Sequence, residues 1–235
     1  MKNLRHLLIS VASTLLLTSL VPSAGAQSAA AVSPQAGSPQ AGSPQAGERK
    51  AAMCIGCHGI AGYQSSFPEI YKVPMIAGQN AKYIVSSLVG YKKGDRKHPT
   101  MHAVATSLSE QDMADLAAYY EQLGKAGEAN PAKAAPAPST DVAELLKKGN
   151  CASCHGDNFS KPIDASYPKL AGQHSDYLYS ALRAYQVDKN PQIGRNNAIM
   201  MGMARPYTLA EAKQLASYIA SMPGELKTVQ QSRWR

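Results

Sequence analysis

Two copies of one five-residue motif constrain this 235-residue chain more than any other feature: Cys54-Ile55-Gly56-Cys57-His58 and Cys151-Ala152-Ser153-Cys154-His155. Together they use all four cysteines. Cys-x-x-Cys-His is the attachment signature of c-type haem. Two thiols three positions apart reach the two vinyl groups on one side of a haem, and the adjacent imidazole then lies under the iron as its fifth ligand. A thioredoxin-like dithiol calls for a βαβ setting, and the sequence offers no convincing alternating strand. A zinc centre calls for four converging ligands, yet the pairs stand 97 positions apart. A disulfide inside each Cys-x-x-Cys would explain neither the histidines nor the duplication. Cys54, Cys57, Cys151 and Cys154 are therefore read as thioether attachment points, and His58 and His155 as iron ligands, of two covalently attached haems c.

The duplication extends beyond the cysteines. Pro74, Ala77, Gly78 and Gln79 recur as Pro168, Ala171, Gly172 and Gln173. Tyr83, Leu88 and Tyr91 recur as Tyr177, Leu182 and Tyr185, and Leu116-Ala117-Ala118-Tyr119 as Leu215-Ala216-Ser217-Tyr218. Ser109 with Asp112, and Thr208 with Glu211, read as capping boxes. Behind them Met113, Leu116, Ala117 and Tyr120, and Ala212, Leu215, Ala216 and Ile219, each form one apolar helix face. Leu178, Ala181, Leu182 and Tyr185 form another, echoed by Ile84, Ser87, Leu88 and Tyr91. A shorter helix after a Ser139/Thr140 cap carries Val142, Leu145 and Leu146. The fold class expected is all-α: two tandem helical domains, about three main helices each, with long loops, each wrapped around a covalent haem. The chain has 1 Trp and 2 Phe, a thin supply of large core fillers. A flat apolar macrocycle would make up the deficit and staple a domain too small to stabilise itself easily.

The ends and seams follow from composition. Residues 1–26 read as an export signal, with Lys2 and Arg5 ahead of a largely apolar stretch and Ala24-Gly25-Ala26 as the cleavage site; an uncleaved anchor is the alternative. Residues 27–47 contain three consecutive Ser-Pro-Gln-Ala-Gly units and read as a flexible tether. Domain 1 is placed at 48–124, a linker at 125–139 and domain 2, with a C-terminal tail, at 140–235.

Each iron needs a sixth ligand, and Met and His are the usual choices in electron-transfer haems. Met101 and Met200 occupy the same place in both copies, 99 positions apart, and are read as those ligands. Met201 and Met203 compete with Met200, while His98 and His102 flank Met101 and offer a bis-His alternative. The carbonyls of Pro74 and Pro168 are candidate acceptors for the haem histidines. Arg96 and Arg195 are candidate partners for haem propionates. The basic stretch from Tyr91 to Lys97 is a candidate docking patch.

On these motifs the sequence resembles the dihaem cytochrome c4 family, exported bacterial proteins with two class I cytochrome c domains in tandem. Asn197-Ala198-Ile199-Met200 is similar to that family's methionine segment. The triple Ser-Pro-Gln-Ala-Gly tether departs from its pattern. The resemblance implies a periplasmic electron carrier between a cytochrome bc complex, or another donor, and a terminal oxidase, often of the cbb type. A cytochrome subunit of a dehydrogenase is the main alternative. An enzyme with an open iron site is a further one, disfavoured by two symmetrical methionines. The net charge of +8 falls to +6 without residues 1–26, and four propionates would offset much of it. Nucleic-acid binding is therefore not expected, and membrane-surface association is left as an option.

Overall fold

A computed structural model describes residues 41–125 and 134–230. The first half runs α1 (Pro44–Lys50), α2 (Ala52–His58), β1 (Gln64–Ser65), β2 (Tyr71–Lys72), α3 (Ala81–Lys93), β3 (Arg96–Lys97), α4 (Pro99–Thr106) and α5 (Glu110–Leu123). The second runs α6 (Thr140–Lys148), α7 (Ala152–His155), α8 (Ser175–Gln186), β4 (Gly194–Arg195), α9 (Ala198–Ala204) and α10 (Leu209–Ser221). The architecture is all-α, with strands only two residues long.

The capped helices α5 and α10 organise the halves. In each, the cap hydroxyl accepts from the third helical N–H and the acid there accepts from the cap backbone. All eight residues of their two predicted apolar faces are buried. Helices α1 and α3 pack on α5, as α6 and α8 pack on α10. The faces of α3 and α8 do something else. Ile84, Ser87, Leu88 and Tyr91, with Leu178, Ala181, Leu182 and Tyr185, line a cavity, so most stay half-buried despite their periodicity, while Ile84 and Leu178 also join the buried cores.

Pro44 to Gly47, assigned to the tether from composition, instead begin α1, with Ser43 as its N-cap. The reason is tertiary. A Cβ on Gly47 would lie 2.1 Å from the carbonyl oxygen of Asp115, so only glycine lets α1 approach α5 this closely. Residues 1–40, which hold the signal segment and most of the tether, residues 126–133 of the linker and the last five residues lie outside the described residues.

The chain after α10 turns back onto the first half. Lys227 N–H donates to Ala77 O at 3.0 Å, Leu226 is buried, and Val229 packs against the first half's core. It meets the Ala-Gly-Gln turn, whose Gly78 is left-handed at φ 87°. A Cβ there would sit 2.8 Å from Glu225 O. Gly172 repeats the left-handed turn at φ 73°.

Candidate haem centres

Helices α2 and α7 present the two Cys-x-x-Cys-His motifs, Cys151 serving as the N-cap of α7. All eight site residues singled out by sequence, Cys54, Cys57, His58, Met101, Cys151, Cys154, His155 and Met200, line one continuous cavity of about 970 Å³. That lies at the top of the range of about 300–1,000 Å³ for a single small-molecule pocket, because this cavity serves both halves. Burial pushes the Cys54 and Cys151 thiols above their ordinary pKa.

The two imidazoles are held alike. His58 Nδ1 lies 2.8 Å from Pro74 O, and His155 Nδ1 lies 3.1 Å from Pro168 O. A carbonyl can only accept, so Nδ1 carries the proton and Nε2 keeps a free lone pair. Burial lowers both histidine pKa values, against the opposing pull of the proline carbonyls. Neutral imidazole is the form that binds a metal.

Met101 and Met200 sit in the first turns of α4 and α9, and each backbone N–H is capped. The caps are His98 Nδ1 at 3.3 Å and Asn197 Oδ1 at 3.0 Å. His98 is thus the structural counterpart of Asn197, and its Nε2 meets Tyr71 OH at 3.1 Å. With both ring nitrogens engaged it acts as a capping residue. His102 Nδ1 is engaged by Tyr91 O at 2.8 Å. Met203 also reaches the cavity wall but is 45% exposed.

A third group of residues tests the fit of a haem most sharply. Strands β3 and β4 pair antiparallel across the halves, with Arg96 directly opposite Arg195. Each guanidinium reaches the tyrosine four residues after the repeat's Ala-Gly-Gln segment: Arg96 to Tyr83 OH at 3.3 Å and Arg195 to Tyr177 OH at 3.0 Å. Like charges opposite one another in a ladder repel. Among the described residues neither guanidinium forms an ion pair with a carboxylate, and Arg96 Nε is enclosed without a hydrogen-bond partner. Both arginines line the cavity. A group bringing carboxylates into it, as haem brings propionates, supplies the missing counter-charge. Thiols, neutral imidazoles, thioethers and unpaired guanidiniums together fit a haem in each half.

The same pairing engages one end of the candidate docking patch. Arg96 and Lys97 form β3, and Lys97 Nζ donates to Asn190 O across the halves. Lys92 Nζ donates within its own half, to Leu108 O at 2.5 Å. Asp95, Arg96 and Lys97 thus join the halves to each other, while Lys92 and Lys93 are exposed.

Sequence reasoning recorded Gln79 and Gln173 as repeat landmarks and gave them no role. Both are 4% exposed, line the cavity and cross between halves. Gln79 bonds both backbone groups of Lys169, at 2.9 Å each. Gln173 bonds both of Met75, at 2.9 and 3.0 Å. Recurrence of a long amide in an otherwise apolar setting was the available signal. Its partners, 90 or more positions away, were not readable.

A family model described as Cytochrome c matches residues 44–124 and again 139–223. Cytochrome c4 of Stutzerimonas stutzeri is 32% identical over 185 residues, covering 74% of this chain and 86% of that one. A thiosulfate dehydrogenase electron acceptor of Thiomonas intermedia is 27% identical over 185 residues, covering 74% of this chain and 80% of that one. The structure of reduced cytochrome c4 from Pseudomonas stutzeri superposes with a TM-score of 0.56 at 28% identity, covering 77% of this chain and all of that one. Among the described residues no helix is long and apolar enough to cross a membrane. The chain belongs to the cytochrome c family and, within it, to the dihaem cytochrome c4 proteins, electron carriers rather than enzymes, with two covalently bound haems c.

Proposed function

We propose that this protein carries electrons in the periplasm from a cytochrome bc complex to a terminal oxidase, a cbb-type oxidase being one such acceptor. The observation that carries the reading is the duplicated donor set on one cavity: His58 with Met101 and His155 with Met200. Cys54, Cys57, Cys151 and Cys154 would hold the haems as thioethers, and the histidine–methionine pairs would fill both axial positions. A bound haem c supplies one-electron chemistry, with methionine ligation favouring a higher potential. The chain supplies the rest. Pro74 and Pro168 orient the imidazoles, and His98 and Asn197 fix the methionine turns. Arg96 and Arg195 counter the propionate charge, and apolar walls limit water. Irons held by both donors of each pair would be closed to substrates, which suits a carrier. Residues 1–26 would direct export and be cleaved, leaving membrane-surface contact to an uncleaved form.

A second reading shares this site and changes the donor: the protein accepts electrons from a dehydrogenase. The similarity to a thiosulfate dehydrogenase electron acceptor favours it. Pyridine haemochrome analysis should give two haems c per chain, and the reduced protein should not bind carbon monoxide. Met101→Ala and Met200→Ala should each abolish the methionine-to-ferric-iron charge-transfer band of one haem. Zero or one haem, or stoichiometric carbon monoxide binding, overturns the carrier reading. Reduction that is fast with a quinol-driven bc complex and slow with thiosulfate dehydrogenase selects the first donor; the reverse selects the second.

A further inference from the structure

The two buried glutamines do more than join the halves. The N–H of Lys169 and the C=O of Pro168 belong to one planar peptide group. Gln79 Oε1 accepts from that N–H at 2.9 Å, while the C=O accepts from His155 Nδ1 at 3.1 Å. The mirror arrangement holds in the other direction. Gln173 Oε1 accepts from Met75 N–H at 3.0 Å, and the C=O of the same peptide, Pro74 O, accepts from His58 Nδ1 at 2.8 Å. Each glutamine is thus linked, through a single peptide, to the haem histidine of the opposite half.

The amides are well fixed for this task. Each oxygen takes a second N–H from its own following residue, Asn80 at 3.0 Å or His174 at 3.1 Å. Each Nε2 donates to the opposite carbonyl, Lys169 O or Met75 O, at 2.9 Å. The left-handed turns at Gly78 and Gly172 sit immediately before them, and Gly78 N–H is anchored to Tyr120 O at 2.8 Å.

We propose that Gln79 and Gln173 are crossed positioning residues: each sets the orientation and basicity of the iron-ligating imidazole in the other half. This rests on His58 and His155 being the iron ligands. Bonds in a chain polarise one another. An acceptor on the peptide N–H makes its C=O a stronger acceptor, which draws on the Nδ1 proton and makes Nε2 a stronger donor to iron. A more electron-rich ligand favours ferric iron. Loss of the amide therefore raises the potential of the opposite haem. The interface becomes a route by which each half adjusts the other's redox poise without any contact to its iron.

The test uses Gln79→Leu and Gln173→Leu in the full-length holoprotein. Spectroelectrochemistry reads both potentials, and paramagnetic proton NMR reads the ligand signals. The haems are assigned from the Met101→Ala and Met200→Ala spectra. Gln79→Leu should raise the potential and shift the histidine signals of the second haem, leaving the first close to wild type. Gln173→Leu should do the reverse. A loosened interface alone would move both haems together in either variant. Equal shifts at both haems, shifts confined to the mutated half, or no shift would each overturn the crossing. If the leucine variants do not accumulate, Gln79→Glu and Gln173→Glu keep an acceptor oxygen. Lower potential at the opposite haem supports the crossing, and a change elsewhere overturns it. An unaltered charge-transfer band in both methionine variants would instead defeat the ligand assignment.

Discussion

In the first half, α1 lies against α5 with a glycine at the contact; in the second, α6 meets α10 through a larger side chain, Leu145, clustered with Leu215. The position of Gly47 in the repeat, counted from the cysteines, is held by exposed Glu144. Lys50 grips both Asp112 and Asp115, at 2.6 and 2.7 Å, whereas Lys148 reaches Glu211 only at 4.0 Å and rests over the Tyr207 ring. The first half's buried core is one cluster, while the second's is divided into two. Matched haem motifs thus sit in unequal frames. The chemistry needs the same donors twice but leaves the packing behind them free to diverge.

The sharpest way to break this contrast is to hollow both cores. Leu116→Ala should cost about 4 kcal/mol, near the upper end for a buried leucine in a continuous core. Leu215→Ala should cost nearer 2, since Leu215 shares its cluster with only Leu145 and Tyr207 as buried neighbours and the site can relax. Thermal unfolding followed at each haem's absorbance checks both, and equal losses would erase the difference. Next, Gly47→Val should cost about 3 kcal/mol by forcing α1 off α5. Glu144→Val should stay within about 0.5 kcal/mol, as for other exposed sites.

Acid gives a smaller separation. Lys50 and the Ser109 cap hold the Asp112 carboxyl at about 2. Burial raises Asp115, but Lys50, Ser43 N–H and Gln111 outweigh it and hold it low. Both folded values lie below the ordinary value of about 3.9, so the stability they confer is full above pH ~4 and is lost as pH falls toward ~2. Glu211 is lowered chiefly by the Thr208 cap, Lys148 contributing least. Amide exchange between those pH values should therefore accelerate more in the first half than in the second, and Lys50→Met should remove the difference. The smallest effect is Lys148→Met, about 0.5 kcal/mol or less for an exposed pair; a larger loss would mean that the ring contact with Tyr207 matters more than the charge.

The caps and the apolar faces were legible because each depends on neighbours within a turn or two of chain, and the eight candidate residues that share the cavity stood out by recurring in both copies. The helix begun by the third Ser-Pro-Gln-Ala-Gly unit was not legible for the complementary reason. Its Ser43 cap and Pro44 can start a helix, but α1 continues because α5 receives it. Arg96 facing Arg195, and each glutamine reaching the other half's proline loop, pair residues 90 or more positions apart. Periodicity holds no information at that range. Arg96 and Lys97 looked like free surface because a basic stretch reads the same whether water or a second strand covers it.

The segment that returns from α10 to Ala77 also orders events in time. The N-terminal half leads, in synthesis and in export, with its own motif and helices complete. Its Ala-Gly-Gln turn then waits for Lys227 and Val229, which follow α10. Gln79 likewise waits for Lys169. The half that is synthesised first is thus finished by the half that follows it, and a chain stopped just beyond α10 would keep both haem motifs yet leave the older one without its final edge.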